Sequence, residues 1–267
     1  MNIEKQFKIL NIFFLIILIF ILIDSFDQSF GYWLNNILPK FSLFTFGNPG
    51  EGWRSLVWSE NGIIENLQVF FLFITILILI FFLKKISLNE KQKLLKIFLL
   101  IQILGLFYFL MEEISWGQQY INFKTPEYFN EINKQKEFNL HNISNVFNEL
   151  PKSFVFLWCA FSIPLLSVVN IKNKNLHILI KPNKKLIQIS LIILLFTLPN
   201  LIVSKLNLIN YSELHIIEDG KFIGYDLKMF LTIVMSFNFF RLSELQELLF
   251  CYYFFWHTLF LKKLFNK

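Results

Sequence analysis

The stretch from Ile97 to Glu113 reads IFLLIQILGLFYFLMEE. Fifteen residues without a charge, Ile97 to Met111, are followed at once by two adjacent carboxylates, Glu112 and Glu113. With interfacial flanks such a run reaches across a hydrocarbon core, for which roughly 20 residues at about 1.5 Å rise are needed. Carboxylates at the edge of a membrane helix are costly and are kept there when they have partners or a task. The helix dipole also disfavours anions at a C-terminal end, so capping does not explain the pair. A site role and simple interfacial solvation are the two readings.

The same pattern recurs along the chain, at Ile9 to Ile23, Leu67 to Leu83, Phe154 to Val169, Leu186 to Val203 and Leu245 to Leu261. The spacing predicts an all-α fold, a polytopic transmembrane helical bundle of six spanning helices. It would form a single integral membrane domain over residues 1–267, with a long loop at 112–153 between the third and fourth spans. Leu227 to Phe240 is apolar but short for a span, and reads as an interfacial or re-entrant helix. The first run follows Lys5 and Lys8 as a signal peptide would, but no small-x-small cleavage site follows Ile23, so a retained anchor is expected.

Composition agrees. The chain is 55% hydrophobic and only 16% charged, against about 25% charged in soluble domains. Its 35 phenylalanines accompany a scarcity of Gly and Arg, which looks like coding bias and carries no functional message. The net charge of +6 does not point to nucleic acid, because the basic residues lie in short loops where membrane topology accounts for them. Cys159 and Cys251 sit inside apolar runs and read as buried thiols, not a disulfide or a metal motif.

Lysine placement sets the expected orientation. With both termini cytoplasmic, the inner pieces are Met1 to Lys8, Lys84 to Lys96, Asn170 to Lys185 and Lys262 to Lys267. They hold 15 basic residues and two acids, a net +13, while everything else nets −7. This is the asymmetry of the positive-inside rule.

On that topology several acids lie at one depth near the outer boundary. Glu60 and Glu65 precede the second span, Glu112 and Glu113 end the third, and Glu244 and Glu247 begin the sixth. In the long loop, Glu137 and His141 would share a face if the stretch were helical. Carboxylates near a histidine can share a proton, shift one another's pKa values or bind a divalent metal. Plainer readings stand beside each: Glu65 as a dipole cap, Glu244 and Glu247 paired with Arg241, His141 as a structural loop residue, Trp116 with Trp33, Trp53 and Trp58 as an aromatic belt. The only two arginines, Arg54 and Arg241, both fall at this boundary, where a bidentate fork suits a carboxylate or phosphate.

The string Glu112-Glu113-Ile114-Ser115-Trp116-Gly117-Gln118, then Thr125-Pro126-Glu127, then Asn133, Gln135, Glu137 and Asn139-Leu140-His141-Asn142, resembles a group of bacterial multi-pass membrane proteins of uncharacterised activity. Glu60-Asn61-Gly62 with Glu65 looks like a further part of the pattern, with Asn61 where Asp is expected. The resemblance covers about a third of the chain. It implies a bacterial inner membrane and directs attention to the outer acidic cluster, without bringing an activity.

Three functions follow. The first is a membrane-embedded hydrolase or transferase acting on a lipid or lipid-linked substrate at the extracytoplasmic face. Glu112 or Glu113 would serve as base or metal ligand, His141 as proton carrier or ligand, and Glu244 as a second carboxylate. Arg54, Trp116, Gln118 and Arg241 would hold the substrate, with Glu65, Glu137 and Glu247 in support. The second is a proton- or cation-coupled transporter using the same acids, against which no acid lies near mid-span. The third is a non-enzymatic assembly protein. HExxH, P-loop and GxSxG strings are absent, and His257 lacks the partner an HxxxH hydrolase needs.

Overall fold

The computed structural model of the chain describes residues 3–37, 57, 62–86, 90–133, 136–140, 143–168, 184–205, 215–218, 221–225 and 242–265. Arg54, Glu60, His141, Arg241 and the Leu227 to Phe240 segment lie outside these residues.

Every one of the six apolar runs is helical where described. In chain order the helices are α1 (Ile3–Ile37), α2 (Ile63–Lys85), α3 (Glu90–Glu113), the short α4 (Gln118–Ile121) and α5 (Glu127–Ile132), α6 (Asn145–Val168), α7 (Ile187–Lys205) and α8 (Leu242–Phe265). In hydrocarbon each backbone N–H and C=O must be satisfied within its own segment, and a helix does this. Among the described residues three helical stretches are long and apolar enough to cross a membrane, Ile3–Leu22, Ile63–Lys85 and Lys93–Glu113. Leu150–Ala160 and Ile187–Pro199 are shorter apolar stretches. Rows of large apolar side chains on α1 and α3, such as Phe13, Phe20, Ile101 and Leu104, are exposed, as lipid-facing surfaces are.

The chain divides into two compact units. The first comprises Met1–Gly62 and Leu194–Gln246, the second Ile63–Ile193 and Glu247–Lys267.

The second unit is a helical bundle centred on α8. Phe71 of α2 meets Tyr252 and Phe255 edge-on or tilted, with ring centroids 5.4 Å apart in both cases. Trp158 of α6 packs against Phe98 of α3 at 5.6 Å and against His257 of α8 at 6.3 Å. Ser190 Oγ of α7 donates a 2.6 Å hydrogen bond to the Cys159 carbonyl of α6, a short-side-chain link of the kind that joins membrane helices. Leu248 to Phe254 are all buried, so α8 is shielded by protein on every face over that stretch. A helix so enclosed can carry Tyr252, Tyr253, Trp256, His257 and Thr258, and it is not among the three stretches long and apolar enough to cross a membrane. Cys159 and Cys251 are buried free thiols.

The first unit adds a short hairpin to its helices. Strands β1 (His215–Glu218) and β2 (Lys221–Tyr225) pair antiparallel, with an irregularity between Ile216 and Ile217. His215 begins β1. The sequence carries a signal for this: Ile216-Ile217 and Phe222-Ile223 flank Asp219-Gly220, a dipeptide favoured between hairpin strands.

Candidate functional site

α3 ends at Glu113, and the backbone then reverses sharply. Ser115, Trp116 and Gly117 all have positive φ, at 46°, 54° and 90°. Left-handed backbone at two non-glycine residues is strained by roughly 1–2 kcal/mol each, so the surroundings must hold it. Gly117 N–H donates to the Ile114 carbonyl at 2.8 Å. The Trp116 indole Nε1–H donates to Glu112 Oε1 at 2.7 Å, and the Leu140 amide donates to Glu112 Oε2 at 2.8 Å. Two N–H donors thus compensate a carboxylate that stands at the unfavourable end of a helix dipole and is only 4% exposed.

The rest of the segment between α3 and α6 is knitted by the other polar residues of the same sequence pattern. Ser115 Oγ and Asn139 Nδ2 both donate to Glu137 Oε2 at 2.8 Å. Asn133 Nδ2 donates to the carbonyl and the side-chain oxygen of Asn139, at 2.9 and 2.8 Å. Gln118 donates to Thr125 Oγ1 at 2.7 Å and accepts from the Phe138 amide at 2.7 Å, while Thr125 Oγ1 donates to the Lys136 carbonyl at 2.7 Å. Phe138 packs between Phe123 and Phe129, at 5.8 and 4.5 Å. The stretch after Lys136, itself at φ 59°, is not helical. Glu137 there accepts from Ser115 and Asn139, while His141, expected from the sequence to share a helix face with it, lies outside the described residues.

Below this segment, inside the second unit, lies a cavity of about 370 Å³. Its walls are Phe98, Ile101, Leu106 and Phe109 of α3, Phe154, Val155 and Trp158 of α6, and Phe250 and Phe254 of α8. Charged groups gather at one end: Glu112 and Glu113 of α3, Lys152 of α6 and Glu247 of α8. Lys152 Nζ is paired with Glu247 Oε1 at 2.5 Å, and Glu247 is 6% exposed. Residues 98, 102, 105, 109 and 112 recur at helical spacing, which puts the apolar wall and the carboxylate on one stripe of α3.

Of the residues expected from sequence, Glu112, Glu113 and Glu247 line the cavity. Glu137, Trp116 and Gln118 hold the connecting segment in shape. Glu65 stands in the first turn of α2 and Glu244 in the first turn of α8, where their charges favour the dipole. Glu244 belongs to the first unit.

Lys152 is not among the residues expected from sequence, because hydropathy starts the fourth span at Phe154 and leaves Lys152 in the loop. α6 in fact begins at Asn145, with Ser144 Oγ accepting from the Phe147 amide at 3.4 Å. The signal that could have found it is Ser144 itself, an N-cap residue three positions before Phe147.

Carboxylates, a lysine and an apolar slot can bind and orient an amphiphile and can move a proton at its head. Among the described residues no group of three or more His, Cys, Asp or Glu side chains is placed to hold a metal ion. No family model, no curated protein and no solved structure matches the chain.

Proposed function

We propose that this chain is a membrane-embedded hydrolase or transferase that draws a lipid or lipid-linked substrate into the cavity and reacts it at the extracytoplasmic face. The observation that carries this reading is the cavity itself: an apolar slot, of the size that small-molecule sites have, ending on four charged side chains. A hydrocarbon chain gains by lying against Phe98, Ile101 and Phe154, and a head group gains by meeting Lys152. Glu113 is the residue assigned general-base work. Glu112 has both oxygens engaged by Trp116 and Leu140 and acts as a positioning residue.

The setting belongs to the same proposal. Six helices span a bacterial inner membrane with both termini cytoplasmic, which places the Glu112–Glu113 end of α3 at the outer leaflet. The lysine asymmetry supports this orientation.

The test is lipid analysis of protein purified in nanodiscs, with Glu113→Gln and Lys152→Ala beside the wild type. Retention of one lipid class above its bulk abundance is expected, lost in Lys152→Ala and kept in Glu113→Gln. A deletion strain carrying Glu113→Gln should accumulate the unreacted lipid. Retained composition equal to bulk in all three proteins would overturn the reading, and a cation flux in proteoliposomes abolished by Glu113→Gln would replace it with transport.

A further inference from the structure

The apolar part of the cavity contains two polar side chains that the charged end does not use. Gln102 of α3 and Trp158 of α6 both line it. The amide oxygen and nitrogen of Gln102 and the indole Nε1 of Trp158 are shielded from solvent and have no hydrogen-bond partner among the described residues. Shielded donors and acceptors in an apolar setting are unfavourable unless something satisfies them. Trp158 is held by rings on two sides, Phe98 at 5.6 Å and His257 at 6.3 Å. Its N–H is therefore fixed in place.

There is open space at Gly105, between the charged end and this point. Gly105 lies between Gln102 and Glu112 on the same stripe of α3, and a Cβ built there would meet nothing within 4 Å. Gln102 is eleven residues from Glu113, about 16 Å along the helix axis, and Trp158 is six residues from Lys152, about 9 Å. A ligand with its head at Lys152 thus passes Gly105 and reaches Gln102 and Trp158 part-way down its chain.

We propose that Gln102 and Trp158 form a second polar subsite, which takes an amide or hydroxyl group carried within the chain of an acyl amphiphile. The inference rests on the cavity being the lipid slot proposed above. The chemistry selects the class. An all-hydrocarbon polyisoprenoid tail leaves all three polar atoms without partners. An ester carbonyl accepts from the two N–H donors but gives nothing to Gln102 Oε1. An amide or hydroxyl both accepts and donates, and so meets all three.

The experiment uses full-length protein in nanodiscs and native mass spectrometry with two probes of equal length and identical anionic head. One has an amide in its chain and the other is purely alkyl. Wild type should bind the amide probe about tenfold more tightly, the worth of roughly one net hydrogen bond. Gln102→Leu should lose that preference while binding the alkyl probe as before, and should melt no lower than wild type because it removes an unsatisfied group. Gly105→Phe should block both probes. Equal affinity of wild type for the two probes, or a preference that survives Gln102→Leu, overturns the subsite. If the alkyl probe still binds and Lys152→Ala abolishes it, the lipid reading stands without the subsite. If neither probe binds wild type, both fall.

Discussion

Lys152 Nζ stands 2.5 Å from Glu247 Oε1, joining α6 to α8 at the charged end of the cavity. The two members are not equivalent, since the glutamate side chain is 8% exposed and the lysine 37%. Removing the lysine leaves a carboxylate that is buried without its cation. Lys152→Ala should destabilise the protein by about 1–2 kcal/mol, less than the breaking of a fully buried pair because solvent screens the lysine. Glu247→Gln added to Lys152→Ala should restore most of the loss. Thermal unfolding of the four proteins of the double-mutant cycle reads this directly, and simple additivity of the two single effects would show the pair to be uncoupled.

Trp116→Phe keeps a ring beside Glu112 and deletes only the N–H that reaches Oε1. A hydrogen bond to a charged acceptor is worth about 1.5–3 kcal/mol. The expected outcome is faster proteolysis between residues 114 and 144 with the helical circular dichroism signal unchanged. Proteolysis at the wild-type rate would mean that Leu140 alone secures the carboxylate.

Asn133→Asp is nearly isosteric and reverses the polarity of a buried link. Asn133 Nδ2 serves two oxygens of Asn139, one of them a backbone carbonyl that cannot turn away. An ionised aspartate at this position would set acceptor against acceptor, with a loss of about 2–4 kcal/mol expected from the unmet groups. The loss should shrink on acidification, because a protonated carboxyl regains one donor. Chemical denaturation at two pH values checks both sign and size.

Gly117 has φ of +90°, and a Cβ there would meet only the Ile121 side chain at 3.7 Å. Space is available but the backbone angle is not, so Gly117→Ala should cost about 1 kcal/mol and Gly117→Asn less, since Asn enters the left-handed region more readily. Equal melting temperatures for Ala and Asn variants would argue that the turn relaxes.

Orientation is open to cysteine labelling, because the two native thiols are fully buried. On the proposed topology Lys124→Cys reacts with an impermeant maleimide added outside intact cells, and Lys93→Cys reacts only after the membrane is opened. The reverse pattern would invert the bundle and place the charged end of the cavity in the cytoplasm.

How far the residues announce the structure depends on how local the physics is. Hydropathy is a sum over many residues, so Leu67 to Leu83 or Leu245 to Leu261 declare a helix whatever their neighbours do. Ends are set by single groups, and α6 starts nine residues before Phe154 because Ser144 caps it and the polar first turns need no lipid. The β1–β2 hairpin hides behind an apolar stretch, with Asp219-Gly220 as its one short signal. In the candidate site, the prominence of Glu112, Trp116, Gln118 and Glu137 is legible in the sequence. Their partners are not, since Glu112 meets Leu140 across 28 residues and Ser115 meets Glu137 across 22. Such pairings exist only once the turn at Ser115 to Gly117 has brought the chain back on itself. Lys152, the cation at the charged end, looks like one more loop lysine until α6 is long enough to carry it.

Glu112 is fastened four residues ahead by Trp116 and twenty-eight residues ahead by Leu140, and the same side chain borders the cavity. Any occupant that displaces this carboxylate releases the connecting segment at two points together, and any molecule that grips the segment holds the carboxylate still. If an occupant did displace it, filling of the cavity and order in the segment would be linked equilibria, each altering the other by the same factor.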